Sequence, residues 1–213
     1  MLTRILAVSD EVDDGLFGDK LRNLRPDLVL SCGDLPFDYL ENLVSRADVP
    51  LLYVPGNHDP DLSDGDPLWS PLRFEAPVPG PPGCDNIDGR VVDAAGLRIA
   101  GLGGSIRYRE GPNQQSQAGM RRRALALEVR CRARQVLDGR PLDVLLAHSP
   151  AAGLGDGGDA AHRGFACFHA LIAATRPRLF LHGHVHPYGT RSPDRQLGET
   201  LVVNAVPYRL LEV

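Results

Sequence analysis

Apolar residues in this chain fall into short runs bounded by turn residues: Arg4 to Val8, Leu28 to Ser31, Leu51 to Val54, Leu97 to Leu102, Val144 to Ala147, Leu179 to Leu181, Leu201 to Val203 and Leu210 to Val213. Their brevity and branched side chains predict buried strands rather than helices. Between them, Pro36 to Arg46, Ala118 to Leu137 and Phe165 to Thr175 space their apolar residues at a helical period. Strands alternating with helices predict α/β architecture with parallel pairing in at least part of the sheet. Two stretches interrupt the pattern. Pro60 to Gly89 is rich in Pro, Gly and Asp, holds the only tryptophan, Trp69, and reads as a long surface excursion. Pro150 to Gly164, rich in Gly, Asp and Ala, reads as a second long loop. Such loops in compact domains often serve as lids or binding loops.

The polar residues that follow the strands change the picture from fold to chemistry. Ile5 to Val8 leads into Ser9 and Asp10; Leu28 to Leu30 into Gly33 and Asp34; Leu51 to Val54 into Gly56, Asn57, His58 and Asp59. Val144 to Ala147 runs into His148, and Leu179 to Leu181 into His182, Gly183, His184, Val185 and His186. In open α/β sheets ligands bind outside the carboxyl ends of the strands, so these groups are expected to converge. Carboxylate, amide and imidazole donors without sulfur suit manganese, iron or zinc. A single His near a strand end is more often structural than ligating; five strands that each deliver an Asp, Asn or His favour a metal site. The competing reading for Asp10 and Asp34 is turn or helix-cap duty.

Composition narrows the class. The 213 residues, 43% of them hydrophobic, suit one domain spanning 1–213. A formal net charge of -4 argues against a general nucleic-acid binder, leaving nucleotides at most, since polyanion affinity comes from Lys and Arg. Arg121, Arg122, Arg123, Arg130, Arg132 and Arg134 mark the predicted helix Ala118 to Leu137, but without interleaved aromatics they read as a solvated face. Cys32, Cys84, Cys131 and Cys167 lack metal or disulfide spacing and are expected as free thiols. The residues after Met1 lack the pattern of a secretory signal, and no apolar run reaches the length of a membrane span. A soluble, cytoplasmic protein with no membrane partner is expected.

Gly33-Asp34, Gly56-Asn57-His58-Asp59, His148 and Gly183-His184-Val185-His186, in this order, resemble the motifs of the calcineurin-like metallophosphoesterases. The resemblance implies a four-layer α-β-β-α sandwich with two mixed β-sheets, and one or two divalent transition metals, manganese ahead of iron or zinc. It assigns Asp34 as a bridging ligand, Asn57, His148 and His184 to one metal, and Asp10 and His186 to the other. His58 matches the family's general acid, and Asp59 is expected to orient it, with a simple turn before Pro60 as the alternative. The implied activity is hydrolysis of a small or nucleotide-like phosphate ester, phosphodiester ahead of phosphomonoester.

The sequence departs from the family at one point: the first motif, normally Asp-x-His, reads Asp10-Glu11-Val12. Glu11, Asp13, Asp14 or water must substitute for the lost imidazole, or only the second metal binds; Asp13 and Asp14 read better as an exposed turn. A catalytically degenerate scaffold that binds a partner is the competing function, and a protein phosphatase with an open groove is a third. Two loops are candidate substrate contacts: His162 and Arg163, in the loop that follows His148, and Gly103 to Tyr108, after the strand Leu97 to Leu102. His182 and His169 are expected to support or pack rather than ligate.

Overall fold

The structure, a computed structural model, describes residues 2–62, 80–187, 189 and 192–213. Trp69 and most of the expected excursion lie outside these residues. In β1 (Arg4–Val8), Ile5 and Ala7 face one way and Leu6 and Val8 the other, and all four are buried. A strand buried on both faces needs a layer on each side. The same holds for β2 (Leu28–Ser31), which precedes β3 (Leu51–Tyr53), β4 (Cys84–Asn86), β5 (Val91–Ala94) and β6 (Leu97–Leu102). Two short strands, β7 (Ser105–Ile106) and β8 (Gln114–Gln115), form a ribbon beyond β6. The chain continues through β9 (Val144–Ala147), β10 (Leu179–His182), β11 (Arg195–Leu197), β12 (Thr200–Asn204) and β13 (Tyr208–Glu212). The helices are α1 (Asp19–Leu24), α2 (Phe37–Ala47), α3 (Gln117–Asp138) and α4 (Cys167–Thr175).

One sheet has the order β13-β1-β2-β3-β4 and the other β11-β12-β10-β9-β6-β5. Both are mixed: β13 runs antiparallel to β1, while β1 to β4 are mutually parallel. In the second sheet β11 and β5 are antiparallel edges on a parallel centre. Ile5, Ala7, Leu28, Leu30, Leu52 and Val54 meet Ile99, Val144, Leu146, Leu181 and Val203 between the sheets. The outer face of the first sheet packs Leu6, Val29 and Tyr53 against Leu21, Tyr39, Leu40 and Leu43 of α1 and α2. The outer face of the second packs Leu102, Leu145 and Phe180 against Met120, Leu127, Phe168 and Leu171 of α3 and α4. Truncating any of these large residues to Ala costs about 2–5 kcal/mol, enough to matter against a total stability of order ten. The four-layer α-β-β-α sandwich is therefore present, with two mixed sheets.

Helix ends follow local chemistry. Ser116 Oγ caps α3 by accepting from Gly119 N at 3.0 Å, and Gly139 ends it with φ 73°. Residues 60–89 were expected to be a surface excursion throughout, yet 84–86 form β4, paired in parallel with β3. Cys84-Asp85-Asn86 has no apolar alternation, because an edge strand at the side of a sheet takes its place through backbone bonds rather than burial.

Candidate metal centre

The carboxyl ends of β1, β2 and β3 in one sheet and of β9 and β10 in the other open onto the same edge of the sandwich. Asp10, Asp34 and His184 all adopt left-handed backbone conformations there, with φ of 59°, 56° and 67°. Each costs about 1–3 kcal/mol for a non-glycine residue, and such strain concentrates at functional sites. By contrast, Arg25, Asp48 and Arg176 have positive φ simply as helix C-caps. Crowding by neighbouring side chains explains two motif glycines. A Cβ on Gly56 would lie 2.0 Å from Asp34 Oδ1, and one on Gly183 would lie 1.9 Å from Ser9 Oγ. Only glycine lets the backbone approach the side chains of Asp34 and Ser9 so closely.

Donor atoms of Asp10, Asp34, His148 and His184 all lie within 4.8 Å of one another. His148 Nδ1 donates to the Cys32 carbonyl at 2.8 Å, which leaves Nε2 facing inward. His184 Nε2 donates to the Ala161 carbonyl at 2.8 Å, which leaves Nδ1 facing inward. A carbonyl can only accept, so both tautomers are fixed. The two inward nitrogens are 3.1 Å apart, with Asn57 Oδ1 3.1 Å and Asp34 Oδ2 3.4 Å from His148 Nε2. Four lone-pair donors thus converge on one buried point. Left without a positive charge they would each cost about 1–3 kcal/mol. A proton on His148 Nε2 or a metal cation supplies that charge, and the donor set is that of a transition metal. The titration tendencies agree: burial opposes charge on His148, but Asp34, Asp10 and the Cys32 carbonyl outweigh it and raise its pKa. Burial, reinforced by His148, pushes His184 down to about 3, so it stays neutral and ready to ligate.

The outer half of the centre is built differently. Asp10 Oδ2 accepts from Ser9 Oγ and from His184 N, the latter at 2.9 Å. Burial raises its pKa, partly offset by His148. Asp10 Oδ1 is 3.9 Å from His186 Nε2, whose ring partner Nδ1 pairs with Glu11 Oε1 at 2.7 Å. Val12 is 41% exposed and contributes nothing. Asp13 is held by Lys20 Nζ at 2.7 Å, and Asp14 opens a short 3-10 turn, so neither replaces the lost imidazole. Among the carboxylates expected as substitutes, Glu11 is the one that reaches His186.

Around the centre, His58 is exposed beside an open depression of about 410 Å³ that Asp34, Pro36, Phe37 and Asp59 also line. His58 N donates to Asp34 Oδ1 at 2.8 Å. Asp34 therefore serves neither as a turn residue nor as a cap of α2, whose N-cap residue is Pro36 and which has no side-chain cap. Asp59 Oδ2 accepts from the amides of Asp34 and Gly56, at 3.0 and 2.8 Å, so it clamps two ligand-bearing loops together. That is more than a turn before Pro60, and its described bonds run to backbone rather than to the His58 ring. Asn57 Nδ2 is 3.4 Å from Tyr108 Oη, which brings the glycine-bearing loop after β6 to the rim. From the other side, the His162 ring lies 5.2 Å from that of His184, while Arg163 is exposed. His182 is buried, pushed down to about 4 by burial, and donates to Gly183 O; His169 donates to Ala152 O. Neither joins the cluster. Sequence reasoning missed the carbonyls of Cys32 and Ala161, and no residue-type signal marks a carbonyl, since every residue has one.

Over residues 4–188 the chain matches the calcineurin-like phosphoesterase family. A solved crystal structure superposes with a TM-score of 0.67 at 16% identity, covering 100% of this chain and 95% of that chain. TT1561 of Thermus thermophilus superposes with a TM-score of 0.60 at 21% identity, covering 96% of this chain and 89% of its own. At these identities the likeness supports the fold. A comparison with curated proteins gives no match. Sheet order, motif order and a family match across most of its length agree, and the chain belongs to the calcineurin-like phosphoesterase family.

Proposed function

We propose that this chain is a metal-dependent hydrolase of phosphate esters, acting on a small or nucleotide-like substrate, with phosphodiesters ahead of phosphomonoesters. The observation that carries the proposal is the convergence of His148, His184, Asn57 and Asp34 with fixed tautomers on one buried point. We assign Asp34, Asn57, His148 and His184 to one divalent cation, and Asp34, Asp10 and His186 to a second. Bound there, such cations lower the pKa of a coordinated water and neutralise charge on phosphoryl oxygens. The preference for manganese rests on the outer half, where Asp10 and Asp34 offer carboxylates and Val12 offers no imidazole, while Glu11 holds the far nitrogen of His186.

The remaining steps belong to the side chains. His58, exposed beside the depression, is suited to donate a proton to the leaving oxygen, with its backbone tied to Asp34. Asp59 fixes the Asp34 and Gly56 backbones and so holds the spacing between ligand and acid. We take Arg163, exposed on the loop that also carries His162, as the candidate cation for a substrate phosphate. The net acidity of the chain and the modest depression favour a small ester over a nucleic-acid polymer. No helix among the described residues is long and apolar enough to cross a membrane, which agrees with an aqueous substrate.

The scaffold reading would gain from a first site that no side chain replaces. The cost of keeping an unneutralised buried polar cluster weighs against it, as does Glu11 holding the ring of His186 in place at that site without itself supplying the missing ligand. The test is hydrolysis of bis-p-nitrophenyl phosphate and p-nitrophenyl phosphate with added manganese, beside Asp34→Asn. Metal-dependent turnover, faster on the diester and reduced by about 10²–10³-fold in the variant, is expected. Failure on both esters with manganese, iron and zinc would favour the scaffold.

A further inference from the structure

The loop 152–164 is wired to the metal centre by one carbonyl. His184 Nε2 donates to Ala161 O at 2.8 Å, which turns the inward nitrogen of His184 into a lone-pair donor. The position of that carbonyl depends on Asp159. Its Oδ1 accepts from Ala161 N at 2.9 Å and from His162 N at 3.0 Å, and its Oδ2 meets His162 Nδ1 at 2.7 Å. A second acid frames the loop from its ends: Asp156 Oδ1 accepts from Gly153 N at 2.8 Å, and Oδ2 from Gly164 N at 3.2 Å. Gly157 N closes the loop on the His162 carbonyl at 2.9 Å.

The two buried imidazoles are therefore held in different ways. His148 is oriented by the Cys32 carbonyl, which directly follows β2 and is fixed by the sheet. His184 is oriented instead by a loop whose shape rests on side-chain bonds from two acids. Partners that hold a ligand's second nitrogen commonly set metal affinity by about 10–100-fold.

We propose that Asp159 is a positioning residue of the metal centre: by folding the 159–162 turn it holds the Ala161 carbonyl on His184 Nε2 and so sets the affinity of the inner cation site. The inference rests on the metal-centre reading above and deepens it. It assigns the Gly- and Asp-rich loop a function at the metal in addition to any contact its His162 and Arg163 make with substrate. Asp159 is itself largely exposed, with 62% of its side chain accessible, so its removal leaves the packed layers untouched.

The experiment is calorimetric titration of the full chain, stripped with chelator, with manganese, for the parent, Asp159→Ala and Asp159→Asn. A cobalt titration followed by visible absorption reports ligand geometry in parallel. Asp159→Ala, which removes both amide bonds to the turn and the contact with the His162 ring, is expected to weaken the tighter site by about 10–100-fold and alter the cobalt spectrum. Its unfolding midpoint without metal is expected to match the parent, with a smaller metal-induced rise. Asp159→Asn keeps an acceptor oxygen for the amides of Ala161 and His162, and is expected to restore affinity to within about threefold. Equal affinity in the parent and Asp159→Ala would overturn the inference while leaving the metal centre standing. Equal loss in Asp159→Ala and Asp159→Asn would also overturn it, because charge rather than turn geometry would then be responsible. A parent that binds neither metal would overturn the metal-centre reading and this inference with it.

Discussion

The two halves of the centre share Asp34 in the assignment above but are built to different standards. In the inner half, His148, Asn57 and His184 are buried, and each ring is oriented by a backbone carbonyl. In the outer half, the His186 side chain is 36% exposed, its ring is oriented by the exposed carboxylate of Glu11, and its inward nitrogen stands 3.9 Å from Asp10. The inner half draws from both sheets, so its geometry comes with the fold. The outer half depends on the turn after β1, where Val12 occupies the family's imidazole position. A site whose ligands are fixed before binding loses less entropy on binding, so the inner cation is expected to be the tighter.

The sharpest way to break this contrast is to remove one ligand from each half. His148→Ala is expected to abolish tight manganese binding and lower diester hydrolysis by about 10²–10³-fold. Glu11→Ala is expected to leave the tight site in place and weaken only the second by about 10–100-fold, read in the same calorimetric titration. If Glu11→Ala instead removed the tight site, the ranking of the halves would be reversed.

A dependence on pH sharpens the same point. The raised pKa of His148 means that a proton competes with metal for Nε2. Below that raised pKa, binding must expel a proton and apparent affinity falls by about tenfold per pH unit; above it, affinity levels off. His184, lowered to about 3, adds no such competition near neutrality. Manganese titrations across about pH 5 to 8 check this, and a slope in the opposite direction would remove His148 as an inner ligand. The smallest expected change restores the family pattern. Val12→His lies at an exposed position and should tighten the outer site by up to about tenfold, at little cost to folding.

These contrasts also explain what could be read from sequence. The strands β1, β2, β6 and β9 were legible to the residue because each is a short apolar run buried on both faces. The polar strands β4 and β11 were not, since edge positions are decided by backbone pairing. Asp10, Asp34, Asn57, His148 and His184 were legible as a group, because strand ends and motif order place them together. The loss at Val12 was visible, but the fate of the nearby carboxylates was not: Glu11 turns to the far nitrogen of His186, and Asp13 is claimed by Lys20, a partner seven residues away that no motif announces. Likewise Asp59 was expected beside the His58 ring, whereas its Oδ2 holds two backbone amides. Residue type suggested a carboxylate and an imidazole in sequence; only the path of the loops shows which atoms meet.

Metal dependence is decided by the rate of bis-p-nitrophenyl phosphate hydrolysis as manganese is added back to chelator-stripped protein, with bound metal counted in the same samples. No turnover is expected without metal, and the rate is expected to climb as the second, weaker site fills. Turnover that persists in excess chelator, or fully loaded protein that hydrolyses no phosphate ester, would contradict the proposed function.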